Sequence, residues 1–129
     1  MDRPIEGERV LLVEDEVLIA MEVEDILRDL GASDVTLCGT YETASRAVEA
    51  NAARVGVFDV NLHGRPATPL IERFVAAGGR AVVASGYALD PEVAALDVVL
   101  LSKPYDEERM ASALRQATGS DRTARVADA

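Results

Sequence analysis

The sequence predicts an α/β fold, a doubly wound parallel sheet of five strands flanked by five helices. Three observations point to it. Short apolar runs rich in Val, Leu and Phe alternate with amphipathic stretches from one end of the chain to the other. The best-defined runs lack the period-2 alternation of a half-exposed strand, which suits strands buried on both faces. The 129 residues and the short connections leave room for one domain.

Strands are expected at Arg9–Val13, Val35–Cys38, Arg54–Phe58, Arg80–Ala84 and Val98–Leu101. A first helix is predicted over Glu16–Leu30, where Ile19, Val23, Ile26, Leu27 and Leu30 recur at helical spacing. Glu22, Asp25 and Asp29 take its opposite face, and Gly31 supplies a stop. Thr40 is placed to cap a second helix carrying Ala44, Ala47 and Val48. Thr68-Pro69 reads as the cap and first turn of a third, running through Leu70, Ile71, Phe74 and Val75 to Gly78-Gly79. Asp90-Pro91 opens a short Ala-rich helix reaching Leu96. Asp106 caps the last helix, with Glu107 and Glu108 in its first turn and Met110, Ala113, Leu114 and Ala117 facing inward. The domain is expected at residues 8–118. Residues 119–129 lack apolar periodicity and are expected to be disordered.

Thirteen basic against 23 acidic residues give a net charge of −10. The few cations do not cluster, so phosphate backbones and anionic membrane surfaces are poor partners. No apolar run reaches the roughly 18 residues of a membrane helix, and the start resembles no secretory signal. A cytoplasmic protein that contacts neither nucleic acid nor membrane is expected. The lone cysteine, Cys38, excludes an intrachain disulfide and a cysteine-based zinc site and reads as a buried strand residue. Of the 13 basic residues only Lys103 is a lysine, which suggests a position where a compact ammonium is needed.

In a doubly wound sheet, ligands gather at the carboxyl ends of the strands. Glu14, Asp15 and Glu16 follow the first strand and Asp59-Val60-Asn61-Leu62 closes the third. Ser85-Gly86-Tyr87 follows the fourth, and Ser102-Lys103-Pro104 the fifth. Carboxylates crowded at one edge repel unless a cation binds. Oxygen donors with a single histidine in the chain favour Mg2+ over zinc or copper. With Lys103 as a second positive charge and Ser85 as a hydrogen-bond donor, this is an arrangement for phosphoryl transfer, with Asp59 placed to attack. Each residue also has a plainer reading. The acidic run is a solvated helix start, Asp59 a helix-entry cap, Ser85 a turn cap and Lys103 a surface charge. His63 reads as solvent-facing, and Tyr41 and Tyr105 as packing residues.

At these residues the sequence resembles the receiver domains of bacterial two-component response regulators, the CheY-like domains. The matching pieces are Val10-Leu11-Leu12-Val13-Glu14-Asp15-Glu16, Phe58-Asp59-Val60-Asn61-Leu62, Ala84-Ser85-Gly86 and Leu101-Ser102-Lys103-Pro104, in the family's order and spacing. The resemblance implies a flavodoxin-like sheet of strand order 2-1-3-4-5. It implies that Asp59 accepts a phosphoryl group from a phosphohistidine on a sensor histidine kinase. Mg2+ would be held by Glu14, Asp15, Asp59 and the backbone carbonyl of Asn61. Ser85 is implied as the switch hydroxyl, Lys103 as the ammonium clamp, and the Lys103–Pro104 bond as cis. The signalling surface would draw on Ser85, Tyr87, Leu100, Pro104 and Tyr105.

The sequence departs from the family in places. Leu100 stands where an aromatic residue is common, which puts the usual coupled swing of hydroxyl and ring in doubt. Tyr87 is then expected either to take over the signalling surface or to shield the phosphoryl group. Glu14 replaces the commoner Asp. The Ser85-Gly86-Tyr87 turn, with Gly64, resembles stand-alone receivers associated with atypical histidine kinases. The expected function is that of a response regulator without a DNA-binding output domain, which signals by protein contacts or passes phosphate to a histidine phosphotransfer protein. It would catalyse only its own phosphoryl transfer and slow autodephosphorylation. Two alternatives remain: a small Mg2+-dependent phosphatase with an aspartyl nucleophile, and a phosphorylation-independent adaptor.

Overall fold

The computed structural model describes residues 3–86 and 91–119. Five strands form one parallel sheet: β1 (Arg9–Val13), β2 (Asp34–Cys38), β3 (Val55–Asp59), β6 (Arg80–Ser85) and β7 (Val99–Ser102). Two two-residue strands, β4 (Asn61–Leu62) and β5 (Arg65–Pro66), form a separate antiparallel hairpin. The sheet order is β2-β1-β3-β6-β7. Counted over the sheet strands alone this is 2-1-3-4-5, as expected. Every sheet strand begins or ends within one residue of its expected place. The third, fourth and fifth run one residue further because the ladder continues through Asp59↔Ala84 and Ser85↔Ser102. Asp59 and Ser85 are therefore held by strand pairing and do not lie on free loops.

The helices are α1 (Val17–Asp29), α2 (Tyr41–Glu49), α3 (Thr68–Ala76), α4 (Pro91–Ala94) and α5 (Glu107–Thr118). The sheet separates two apolar layers. Alternate β1 side chains Val10 and Leu12 pack with Val23 and Leu27 of α1 and Met110 and Leu114 of α5. Leu11 and Val13 pack on the other side with Ala44 of α2, Leu70, Ile71 and Phe74 of α3, and Val93 of α4. Both faces are covered, which is why the strands read as unbroken apolar runs. Cys38 is buried, as expected.

Thr40 caps α2 through a reciprocal box, with Thr43 N–H donating to its hydroxyl at 3.1 Å and its own N–H donating to Thr43 at 3.3 Å. Asp106 caps α5 by accepting from Arg109 N–H. At α3 the structure differs from expectation, because the cap is Ala67 and Thr68 is the first helical residue. The Ala67 N–H donates to the Val60 carbonyl while its own carbonyl accepts from Leu70 and Ile71, so the helix starts one residue earlier. Asp90 lies outside the described residues, and α4 is a single turn. The apolar core also takes in Ile5, fully buried upstream of the expected domain start at residue 8. Among the described residues, no helix is long and apolar enough to cross a membrane.

Candidate phosphoacceptor and metal site

The carboxyl edges of β1, β3 and β6 and the turn after β7 converge. Glu14 and Asp15 leave the end of β1, where the Glu14 N–H donates to the Cys38 carbonyl of β2 at 3.1 Å. Asp59 closes β3. One carboxylate oxygen from each of Glu14, Asp15 and Asp59 lies within 4.8 Å of the others. The Lys103 ammonium stands over the group, 3.6 Å from Asp59 Oδ1 and 3.8 Å from Glu14 Oε1. It is delivered there by backbone pairing, the Lys103 N–H donating to the Ser85 carbonyl at 2.9 Å, and is followed by a cis bond to Pro104. Ser85 is buried on the same edge. The structure thus brings together Glu14, Asp15, Asp59, Ser85 and Lys103.

Electrostatics at this edge are uneven. Glu14 is 5% exposed. Burial, with the Asp59 charge adding to it, pushes its carboxyl up to about 7 against the opposing Glu16 N–H and Lys103. Burial is the largest influence on Asp15 and acts upward, but the His63 N–H, donating to Oδ2 at 2.8 Å, joins a hydrogen bond with Glu14 and the His63 charge to outweigh it, and the carboxyl is held below its ordinary range. Burial pushes the Tyr105 phenol up to about 12, and the charges of Glu14, Asp59 and Glu22 act in the same sense. Tyr105 and Pro104 line a groove of about 360 Å³ with Ile19, Val23 and Ile26 of α1. Leu100 lies on the edge strand, 46% exposed. Tyr87 lies outside the described residues.

The donor set fits a hard divalent cation. Neighbouring oxygens around an octahedral Mg2+ at about 2.1 Å stand about 3 Å apart, so direct ligation by all three carboxylates draws the triad together by side-chain rotation. A carboxylate reaching the ion through one of the waters that Mg2+ keeps needs none. Asn61 faces Pro66 in the hairpin register, and the flanking Ala67 N–H donates to the Val60 carbonyl, so Asn61 and Pro66 exchange no backbone hydrogen bond and the Asn61 carbonyl is directed out of the hairpin.

Two features escaped the sequence reading. The His63 side chain is 71% exposed, as expected, but its backbone N–H and an imidazole Nδ1 at 3.4 Å both meet Asp15. Val17, Leu18 and Met21 form an exposed apolar surface on the first turns of α1, at 70%, 76% and 57% exposure. The signal was present: three apolar residues at the head of a helix, off the periodic face that packs inward.

No family model and no curated protein matches the sequence. Solved structures do. The solution structure of SdrG from Sphingomonas melonis Fr1 is 33% identical, covering 89% of this chain and 97% of that one, with a TM-score of 0.73. A CheY-like response regulator receiver domain protein from Methanospirillum hungatei JF-1 is 20% identical over 92% of this chain and 98% of its own, with a TM-score of 0.76. The receiver domain of the sensor histidine kinase PA1611 from Pseudomonas aeruginosa PAO1 is 24% identical over 88% of this chain and 98% of its own, with a TM-score of 0.74. That structure holds a magnesium ion coordinated in its active-site cleft. A five-stranded parallel sheet in this order, with acidic residues and a lysine gathered at its carboxyl edge, is a receiver-type fold. The chain has the fold of the CheY-like response regulator receiver domains.

Proposed function

We propose that this chain is a phosphoacceptor in a two-component phosphorelay, taking a phosphoryl group on Asp59 from a phosphohistidine of a sensor histidine kinase. The observation that carries the reading is the meeting of three carboxylates with the chain's only lysine at one strand edge. In the transfer, an Asp59 oxygen attacks phosphorus and the P–N bond to histidine breaks. The bonding electrons return to the imidazole nitrogen, leaving an acyl phosphate on Asp59. Glu14, Asp15, Asp59 and the Asn61 carbonyl would hold Mg2+, which when bound neutralises charge on the phosphoryl oxygens. Lys103, 3.6 Å from Asp59 Oδ1, follows the charge from carboxylate to phosphoryl oxygen. The Ser85 hydroxyl, one strand over, donates to the same group and carries the change to the turn that follows β6.

The donor docks on Val17, Leu18 and Met21, which lie at the head of α1 immediately after the acidic pair. The signal leaves through a surface drawn from Leu100, Pro104 and Tyr105, by contact with a downstream protein or a histidine phosphotransfer protein. The receiver unit spans residues 8–118 together with Ile5, and it works in the cytoplasm. Its chemistry is limited to accepting and slowly losing one phosphoryl group. Asn61, two residues after Asp59, offers no carboxyl acid for a phosphatase cycle.

The test is intact mass after incubation with acetyl phosphate and Mg2+, comparing the native chain with Asp59→Asn. One phosphate adduct is expected in the native protein alone. Equal adducts in both would move the acceptor elsewhere, and steady turnover of a chromogenic phosphate ester would favour the phosphatase.

A further inference from the structure

The β4–β5 hairpin lies between the acidic edge and the start of α2, and it touches both. Its loop is the two-residue turn His63-Gly64, with φ of 51° and 84°. Positive φ at both central residues is the signature of a type I′ turn, whose twist matches a short antiparallel pair. The base of the hairpin is sunk in the core by Leu62, 2% exposed, and Ala67, fully buried. Within the turn, Asn61 Oδ1 accepts from the Gly64 N–H at 2.7 Å. On one side the turn reaches the site, where the His63 N–H donates to Asp15 Oδ2 at 2.8 Å. On the other side Arg65 ties it to α2, with its guanidinium 3.4 Å from the Tyr41 ring centroid and Nη1 2.9 Å from Glu42 Oε2. A cation held over an aromatic face and a charged hydrogen bond from one side chain make a directional anchor.

We propose that the hairpin is a strap that positions the Asp15 carboxylate for its metal, with Arg65 as the positioning residue. With Arg65 locked on Tyr41 and Glu42, the turn keeps the His63 N–H on one Asp15 oxygen, and the other oxygen is presented to the ion. Partners that orient a metal-ligating group in this way shape its affinity for the ion. Arg65 acts through the backbone and touches neither phosphate nor metal. The inference rests on the Mg2+ site proposed above.

The test uses Arg65→Ala and Arg65→Lys in the full chain. Mg2+ affinity is measured by calorimetry, the His63 amide is followed by NMR in metal-free protein, and thermal melting is recorded without metal. Arg65→Ala is expected to weaken Mg2+ binding about tenfold, the low end for a group that orients a ligand. The His63 amide should lose its carboxylate-bonded downfield shift and its protection from hydrogen exchange, with the metal-free melting curve unmoved. Arg65→Lys, which retains the ion pair but loses the guanidinium over the Tyr41 ring, should recover only part of the affinity. Unchanged affinity and an unchanged His63 amide in Arg65→Ala would overturn the strap. So would a loss of affinity that only tracks a lower melting temperature. A native chain that binds no Mg2+ while its His63 amide still responds to Arg65→Ala would overturn the metal site and leave the strap's hold on Asp15 standing.

Discussion

Glu14→Gln isolates the electrostatics of the site. Burial lifts the Glu14 carboxyl from 4.5 to about 7. The folded chain therefore holds this proton more tightly than the unfolded chain does. The stability it contributes is fully present below pH 4.5 and is lost as pH rises through about 7. At about 1.4 kcal/mol per pKa unit, the whole window is worth at most about 3 kcal/mol, of which about 2 falls between pH 5 and 7.5. Asp15 has the opposite sign. Burial is outweighed there by the His63 N–H, the Glu14 hydrogen bond and the His63 charge acting together, so its contribution is present above 3.8 and is lost only at more acid pH, outside this window. Glutamine keeps the size and hydrogen-bonding capacity of protonated Glu14 and cannot ionise. The assay is urea denaturation in EDTA at pH 5 and 7.5. The variant is expected to gain about 2 kcal/mol on the native chain between the two, and saturating Mg2+ should return the native chain's loss at the higher pH. Native and variant stabilities that change in parallel over this range would refute a buried, proton-holding Glu14.

Three further outcomes are expected. Lys103→Ala, which removes the ammonium beside Asp59, should slow acetyl phosphate labelling about 100-fold while Mg2+ binding persists; labelling at the native rate would remove Lys103 from the transfer. Gly56→Ala would place a Cβ 2.6 Å from Phe58 Cε1 and 3.0 Å from the Phe74 ring. That overpacking should lower stability by about 1–3 kcal/mol in urea unfolding, and an unchanged midpoint would show that the two rings, in edge contact at 5.2 Å, can yield. Leu18→Asp, on a side chain 76% exposed, should leave stability within about 0.5 kcal/mol. It should slow transfer from a phosphorylated kinase and spare labelling by acetyl phosphate; equal losses in both assays would place the effect in the site and not in docking.

The parts of this molecule that could be read from sequence are those set by long periodic segments and by the rule that ligands meet at strand ends. Val10–Val13 and Val55–Phe58 announce buried strands because both faces of the sheet are covered. Parallel topology then sends Glu14, Asp59, Ser85 and Lys103 to one edge although up to 89 positions of sequence separate them. The hairpin was not legible, since two-residue strands have no period and His63-Gly64 is a weak turn signal. Ile5 was missed for a similar reason: a single apolar residue in a polar start has no pattern, and only its contact with the core gives it meaning. The ionisation of Glu14 was out of reach as well. Glu14 and Asp15 are adjacent acidic residues, and what divides them is a buried environment for one and a distant backbone N–H for the other.

That division bears on how the edge can hold a phosphoryl group at all. With Glu14 ionised, three carboxylates face one ammonium, so the site carries two negative charges in excess. Moving a phosphoryl group onto Asp59 replaces its single charge with about two, and Lys103 cannot balance the result alone. A proton on Glu14 relieves the resting site but does nothing to orient an incoming phosphoryl oxygen. A divalent ion relieves the same repulsion, to within about one charge, and supplies a ligand position for that oxygen. The carboxyl most costly to ionise thus does useful work here: its buried charge makes the site incomplete without a cation, and ties phosphoryl acceptance to metal binding at neutral pH.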